Sequence, residues 1–181
     1  MTIMKRLIAL FLCLGVLMMT ASGCFGAGPQ KEATGDEAAN KSVSAYKNTY
    51  TDMLNYLAAW GYINPREKNK DITYTEMQAD LIGAKQGRRF TAEHTKDTVI
   101  ELYEYDLNAL NATADEVRSA VEKNGTFQNL FDETVENVYL SKNKRYMMIY
   151  NDKTINKDTK ETDDNYKARQ EVVEKFTEFD K

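Results

Sequence analysis

The chain has one histidine, His94, and two cysteines, Cys13 and Cys24. With a single imidazole, Ser-His-Asp or Cys-His machinery can be assembled only around His94. That residue sits in the polar stretch "HTKD", where a solvated loop side chain is the simpler reading. No serine stands in a G-x-S-x-G context, and no P-loop, dinucleotide fingerprint or HExxH occurs. An excess of positive charge is also missing: 24 Lys and Arg face 28 Asp and Glu. Nucleic acid, which requires a basic face, is therefore not an expected partner. Long apolar runs are scarce as well. The main one, Leu7 to Met19, spans about 20 Å as a helix, short of the roughly 30 Å a bilayer core demands.

That run follows Lys5 and Arg6 and ends in small residues, the pattern of a secretory signal peptide. Its exit, Ala21-Ser22-Gly23-Cys24, resembles the lipobox of bacterial lipoprotein precursors. The resemblance implies that the Cys24 thiol carries diacylglycerol, that cleavage follows Gly23, and that Cys24 becomes the first residue. Ala21 departs from the leucine usual at its position. Small side chains suit a peptidase site, and a thiolate is the nucleophile acyl-glyceryl transfer needs. Two or more acyl chains then anchor stably without a spanning helix.

Cleavage there leaves 158 residues, enough for one domain with a real core. Loss of Lys5 and Arg6 leaves 22 basic against 28 acidic side chains, which also opposes adhesion to anionic lipid. Cys13 departs with the leader, so disulfides, cysteine zinc sites and thiol nucleophiles are excluded from the folded part. The expected organisation is residues 1–23 as signal, 24–41 as lipidated cysteine and flexible tether, and 42–181 as a single α+β domain. The tether reading rests on three glycines, one proline and scattered charges in "FGAGPQKEATGDEAANK".

From Ser42 onward an apolar period emerges. Val43, Tyr46, Tyr50, Met53, Leu57 and Trp60 recur at steps of three and four, predicting a helix capped by Ser42 and ended by Gly61. Residues 64–71 read as a solvated loop. Thr73 with Glu76 forms a capping-box pattern, predicting a short helix through Leu81 and Ile82 that stops at Gly83. Residues 87–93 and 98–106 read as two strands joined by "HTKD". Residues 111–125 predict a helix with a Thr113–Glu116 capping box and Gly125 as terminator. A hairpin over 133–152 turns at "SKNK", a polar mobile loop covers 151–165, and a last helix carries Tyr166, Val173 and Phe176. The expected order is helix-helix-hairpin-helix-hairpin-helix: a four-stranded antiparallel sheet from two hairpins, with helices packed on a face.

The stretches "IGAKQGRRF", "VIELYEYD" and "LSKNKRYMMIY" resemble a type of small lipoprotein of Gram-positive bacteria. That likeness is confined to residues 82–150. It implies fold and location and carries no activity with it.

Any catalysis would rest on carboxylates, with Glu101, Glu104 and Asp106 on the second strand as candidates for glycoside hydrolysis. Alternating charge on a strand more simply marks its wet face. The acid-rich loop "NDKTINKDTKETDDN" lacks the D-x-[DN]-x-[DN]-G order of a calcium loop, so no metal or cofactor is expected. Tyrosine is the abundant residue, 11 in all, ten of them between Tyr46 and Tyr150. Large and polar-tipped, it suits core, rim and interface alike. Tyr103, Tyr105, Tyr146 and Tyr150 form the candidate interaction face if the strands expose them. The leading expectation is a membrane-anchored, extracytoplasmic, non-enzymatic binding or interaction module meeting a protein or glycan of the envelope. An immunity or inhibitor protein is one form of it. The alternatives are a carboxylate-based cell-wall glycan hydrolase and a small-ligand carrier.

Overall fold

The computed structural model describes residues 41–63, 72–91 and 97–179. The leader, the lipobox with Cys24, the tether up to residue 40, the loop 64–71 and His94 lie outside the described residues.

After a single 3-10 turn at Val43–Ala45, helix α1 runs over Tyr50–Trp60. The predicted start at Ser42 is corrected to Thr49, whose hydroxyl accepts the Asp52 N–H at 3.1 Å. Asp52 lies in the first turn and also accepts the Lys47 N–H, so two neighbouring polar side chains decide the entry, and the apolar period upstream does not continue the helix. Gly61 ends α1 as expected, at φ 78°, with its N–H donating to Ala58 and Leu57 carbonyls.

The Thr73–Glu76 capping box is also corrected. Thr75–Glu76 form a short strand, β1, opposite Arg89 and Arg88, and only a 3-10 turn at Ala79–Ile82 follows. A capping box is a local signal, and pairing to a neighbouring strand offers the same backbone groups better partners. Strands β2 (Gln86–Thr91) and β3 (Thr98–Glu104) then form the first predicted hairpin. Helix α2 covers Ala112–Asn124, with Asn111 rather than Thr113 accepting the Ala114 N–H at 2.8 Å and Gly125 terminating it.

Next come β4 (Phe127–Gln128) and β5 (Thr134–Val135), a two-stranded hairpin apart from the main sheet. Strands β6 (Val138–Leu140) and β7 (Tyr146–Asp152) form the second predicted hairpin, and α3 (Asp164–Glu178) closes the described chain. The main sheet is antiparallel throughout, with order β1-β2-β3-β7-β6. The two hairpins therefore join through β3 and β7, as an α+β reading requires, but the sheet has five strands rather than four.

Helices also cover both faces rather than one. Ile100, Leu102, Met148 and Tyr150 pack with Met53 and Leu57 of α1 and Phe176 of α3. On the other face Tyr103, Met147 and Ile149 pack with Val117 and Val121 of α2. Alternation along β3 and β7 feeds both clusters, so each strand is buried on two sides. Gly87 of β2 shows how tightly the second face is built. It lies opposite Tyr103, whose ring crosses so near that a Cβ at position 87 would sit 2.4 Å from a ring carbon.

Candidate functional site

Strand β3 carries the sequence candidates, and its pleat separates them. Glu104 projects with Ile100 and Leu102 toward α1 and α3, whereas Glu101 projects with Tyr103 to the opposite face. Asp106 lies beyond the strand, exposed, with its carboxylate accepting the Asn108 N–H in a turn. The three acids do not converge. A hydrolytic pair requires two carboxyls about 5 to 9.5 Å apart across one cleft, and opposite faces of a covered sheet provide no such cleft.

Each strand carboxylate is instead held by an arginine. Glu101 receives Nε and Nη2 of Arg89 at 2.9 and 2.7 Å on one oxygen, and the Tyr103 hydroxyl at 2.7 Å on the other. Glu104 is 2 % exposed. Arg145 donates to its Oε1 from Nε and Nη2 at 3.1 and 2.7 Å, while Gln86 Nε2 donates to Oε2 and Lys85 stands 3.5 Å away. Arg145 also donates to the Asn48 carbonyl at 3.3 Å, tying the approach to α1 into the same knot.

The β6–β7 turn places that arginine. Asn143 accepts the Arg145 N–H and the Ser141 hydroxyl, Ser141 accepts the Tyr146 N–H, and Lys144 takes a left-handed φ of 62°. With both oxygens engaged by fixed donors, Glu104 acts as a clamp joining β2, β3 and β7. Three hydrogen bonds from Arg145 and Gln86, with the Lys85 ammonium nearby, compensate the cost of burying this charge.

The four tyrosines proposed as an interaction face are corrected in their placement. Tyr103, Tyr105, Tyr146 and Tyr150 are 5, 0, 0 and 3 % exposed. The helices on both faces cover them, so they are core side chains and offer no stacking platform. Two of these polar tips have partners nearby, the Tyr103 hydroxyl donating to Glu101 at 2.7 Å and the Tyr105 hydroxyl approaching the Met147 sulfur at 3.7 Å. Tyr50 of the same core region donates to the Leu102 carbonyl at 2.7 Å.

Burial pushes the phenols of Tyr50, Tyr62, Tyr103, Tyr105, Tyr139 and Tyr150 above the usual value. The unfolded phenol titrates near pH 10. The neutral form is favoured in the fold, so this contribution is full below about pH 10 and is lost as pH rises toward the folded values. Alkaline titration is expected to release the tyrosinate absorbance of these six phenols in a cooperative step above pH 10, coincident with loss of circular dichroism. Smooth titration near pH 10 with the dichroism intact would contradict the burial.

A shallow, open depression lies among the described residues. Glu161, Tyr166, Lys167, Gln170, Glu171 and Glu174 line this depression of about 520 Å³ along α3. A carrier of apolar ligands needs an enclosed apolar lining. Among the described residues, no three His, Cys, Asp or Glu side chains converge on a common centre, and no helix is long and apolar enough to cross a membrane.

One surface feature escaped the sequence reading, which assigns no element to residues 126–132. Leu130 and Phe131, at the tip of the β4–β5 hairpin, are 66 and 81 % exposed. The signal was two adjacent large apolar residues between turn formers, Asn129 and Asp132. Compared with protein-family models, curated proteins and solved structures, the chain matches none of them.

Proposed function

We propose that this chain is a lipid-anchored, extracytoplasmic lipoprotein whose folded domain is a non-enzymatic binding or interaction module at the membrane. The observation that carries the reading is the charge-free Leu7–Met19 run, too short for a bilayer, handing over to Ala21-Ser22-Gly23-Cys24. The domain's own geometry supports the non-enzymatic part: Glu101 and Glu104 face opposite ways and both are committed to guanidinium groups. An immunity or inhibitor lipoprotein, meeting an incoming protein at the membrane, is one form of this reading.

Intact mass and N-terminal sequencing of the product, made from the full-length chain in a bacterial host, test it directly. The expected product begins at Cys24, carries a diacylglycerol mass and partitions with membranes. Cys24→Ala is expected to abolish the added mass and leave the domain without its membrane hold. An unmodified polypeptide starting elsewhere than Cys24 would overturn the reading.

A further inference from the structure

We infer that the Leu130–Phe131 tip is a docking knob that enters an apolar pocket, rimmed by cationic side chains, on a protein partner. This deepens the interaction-module reading and rests on it. Both side chains stand out even among the exposed large apolar residues of the described chain, since Tyr74, Leu81 and Leu107 are only 37 to 43 % exposed. Isolated surface leucines are ordinary, whereas two adjacent apolar side chains on one projecting turn form a contact unit.

The turn is built to hold that unit. Asn129 Oδ1 accepts the N–H groups of Phe131 and Glu133 at 2.8 and 3.0 Å, and its amide donates to the Glu133 carboxylate at 2.9 Å. The Asn129 N–H donates to the Glu133 carbonyl, the Asp132 N–H donates to the Asn129 carbonyl, and Asp132 adopts a left-handed φ of 60°. At the root, Phe127 is buried in the cluster beneath α2. A tip fixed before contact loses little freedom on binding, and that is where rigid loops gain affinity.

Charge selects the occupant. Exposed Asp132 and Glu133 directly follow Phe131, and exposed Glu136 lies just beyond. The nearest cations, Lys123 and Lys142 in sequence and Arg169 bonded to Asn137, stand at the root of the hairpin and not at its tip. Apolar wedges that enter bilayers rely on cationic neighbours to meet anionic headgroups, and an acidic collar opposes that approach. The same collar complements a basic rim around a protein pocket, steering association and suppressing wrong partners.

The test places a photo-cross-linking aromatic amino acid at position 131 of the full-length chain, in the cells that make it, and separately at position 167 on α3. The expected result is a protein adduct from 131 and none from 167. The cross-linked protein, once purified, is expected to bind the wild-type chain and to bind Phe131→Ser at least tenfold more weakly. Phe131→Leu restores the contact, while combined Asp132→Asn and Glu136→Gln, or added salt, weaken it several-fold. Unchanged circular dichroism of each variant separates docking from folding. Adducts to lipid or to a second copy of the chain, or a purified protein indifferent to these changes, would overturn the knob. An adduct from 167 alone overturns the knob and leaves the interaction module standing. Adducts from neither position overturn the knob and leave the anchored module to its own mass and N-terminal test.

Discussion

Phe179→Ala is expected to destabilise the domain by about 3–5 kcal/mol. Phe179 is 1 % exposed and lies immediately after α3. Its ring stands 5.6 Å from that of Tyr56 on α1 and 6.0 Å from that of Tyr146 on β7, the latter edge-on. Tyr56 in turn meets Tyr46 edge-on at 5.6 Å, so one phenyl group closes a chain of rings linking both helices to the sheet. Helix α3 depends on that anchor. Within its span only Val172 and Phe176 are fully buried, and the rest of its surface is polar or partly wet. A ring-sized cavity among aromatic neighbours cannot collapse without moving α1 or β7, which places the cost high in the observed range for such truncations. Since domains have about 5–15 kcal/mol in total, the variant would sit near its unfolding threshold. Urea titration followed by circular dichroism measures the loss. Phe179→Leu, which keeps most of the volume, is expected to lose under about 1.5 kcal/mol. Equal midpoints for Phe179→Ala and wild type would show that the ring cluster does not hold α3.

The parts of this fold legible from sequence are those decided locally. Gly61, Gly83 and Gly125 each end a helical segment at positive φ, where a side chain would be strained, and each was readable as a stop. The two hairpins announced themselves by apolar strands around polar turns, down to the "SKNK" corner whose Lys144 takes the left-handed region. What was not legible depends on partners distant in sequence. Thr73 and Glu76 have the spacing of a capping box, and only the approach of Arg88 and Arg89 on β2 makes Thr75–Glu76 a strand. The side of each helix was likewise invisible. Val99 and Ile100 on alternate faces of β3 suggested partial cover on both, but only the packing of α2 against Tyr103 and Tyr105 completes the second layer.

The tyrosines illustrate the same limit in the candidate site. Phenol side chains tolerate core, rim and open surface, so their number cannot say which applies. Burial was settled by helix placement, which puts the four candidate tyrosines in the core, the plainer of the two readings their number allows. Alternating acids on β3 allow either a wet strand face or a carboxylate pair, and the structure shows Glu101 and Glu104 largely covered and paired to arginines. Period-2 geometry put Glu101 and Glu104 on different faces. The arginines that claim them sit on other strands or turns, 12 and 41 residues away along the chain. Leu130 and Phe131 were readable as an apolar pair, yet their exposure depends on Phe127 and Val135 turning inward instead.

Arg145→Met is expected to cost about 3 kcal/mol, because it leaves the Glu104 carboxylate buried with only Gln86 and Lys85 beside it. The loss reflects desolvation more than lost attraction. A charge 3 % exposed at the side chain cannot recover water, and Lys85, itself more than half exposed, reaches it only at 3.5 Å. Glu104→Leu alone is expected to cost less, since the Arg145 side chain is 35 % exposed and keeps its bond to the Asn48 carbonyl. The combined Glu104→Leu, Arg145→Met variant removes both charges and leaves two apolar side chains at the sheet end. It is expected to recover at least half of the summed single losses, a coupling of about 1–3 kcal/mol. Denaturant unfolding of the four proteins closes the cycle. Additive losses would mean that Arg145 and Glu104 act independently. In that case the ties among β2, β3, β7 and the entry to α1 would come from backbone pairing alone. Coupling of the expected size instead identifies Glu104 and Arg145 as one unit holding this end of the sheet.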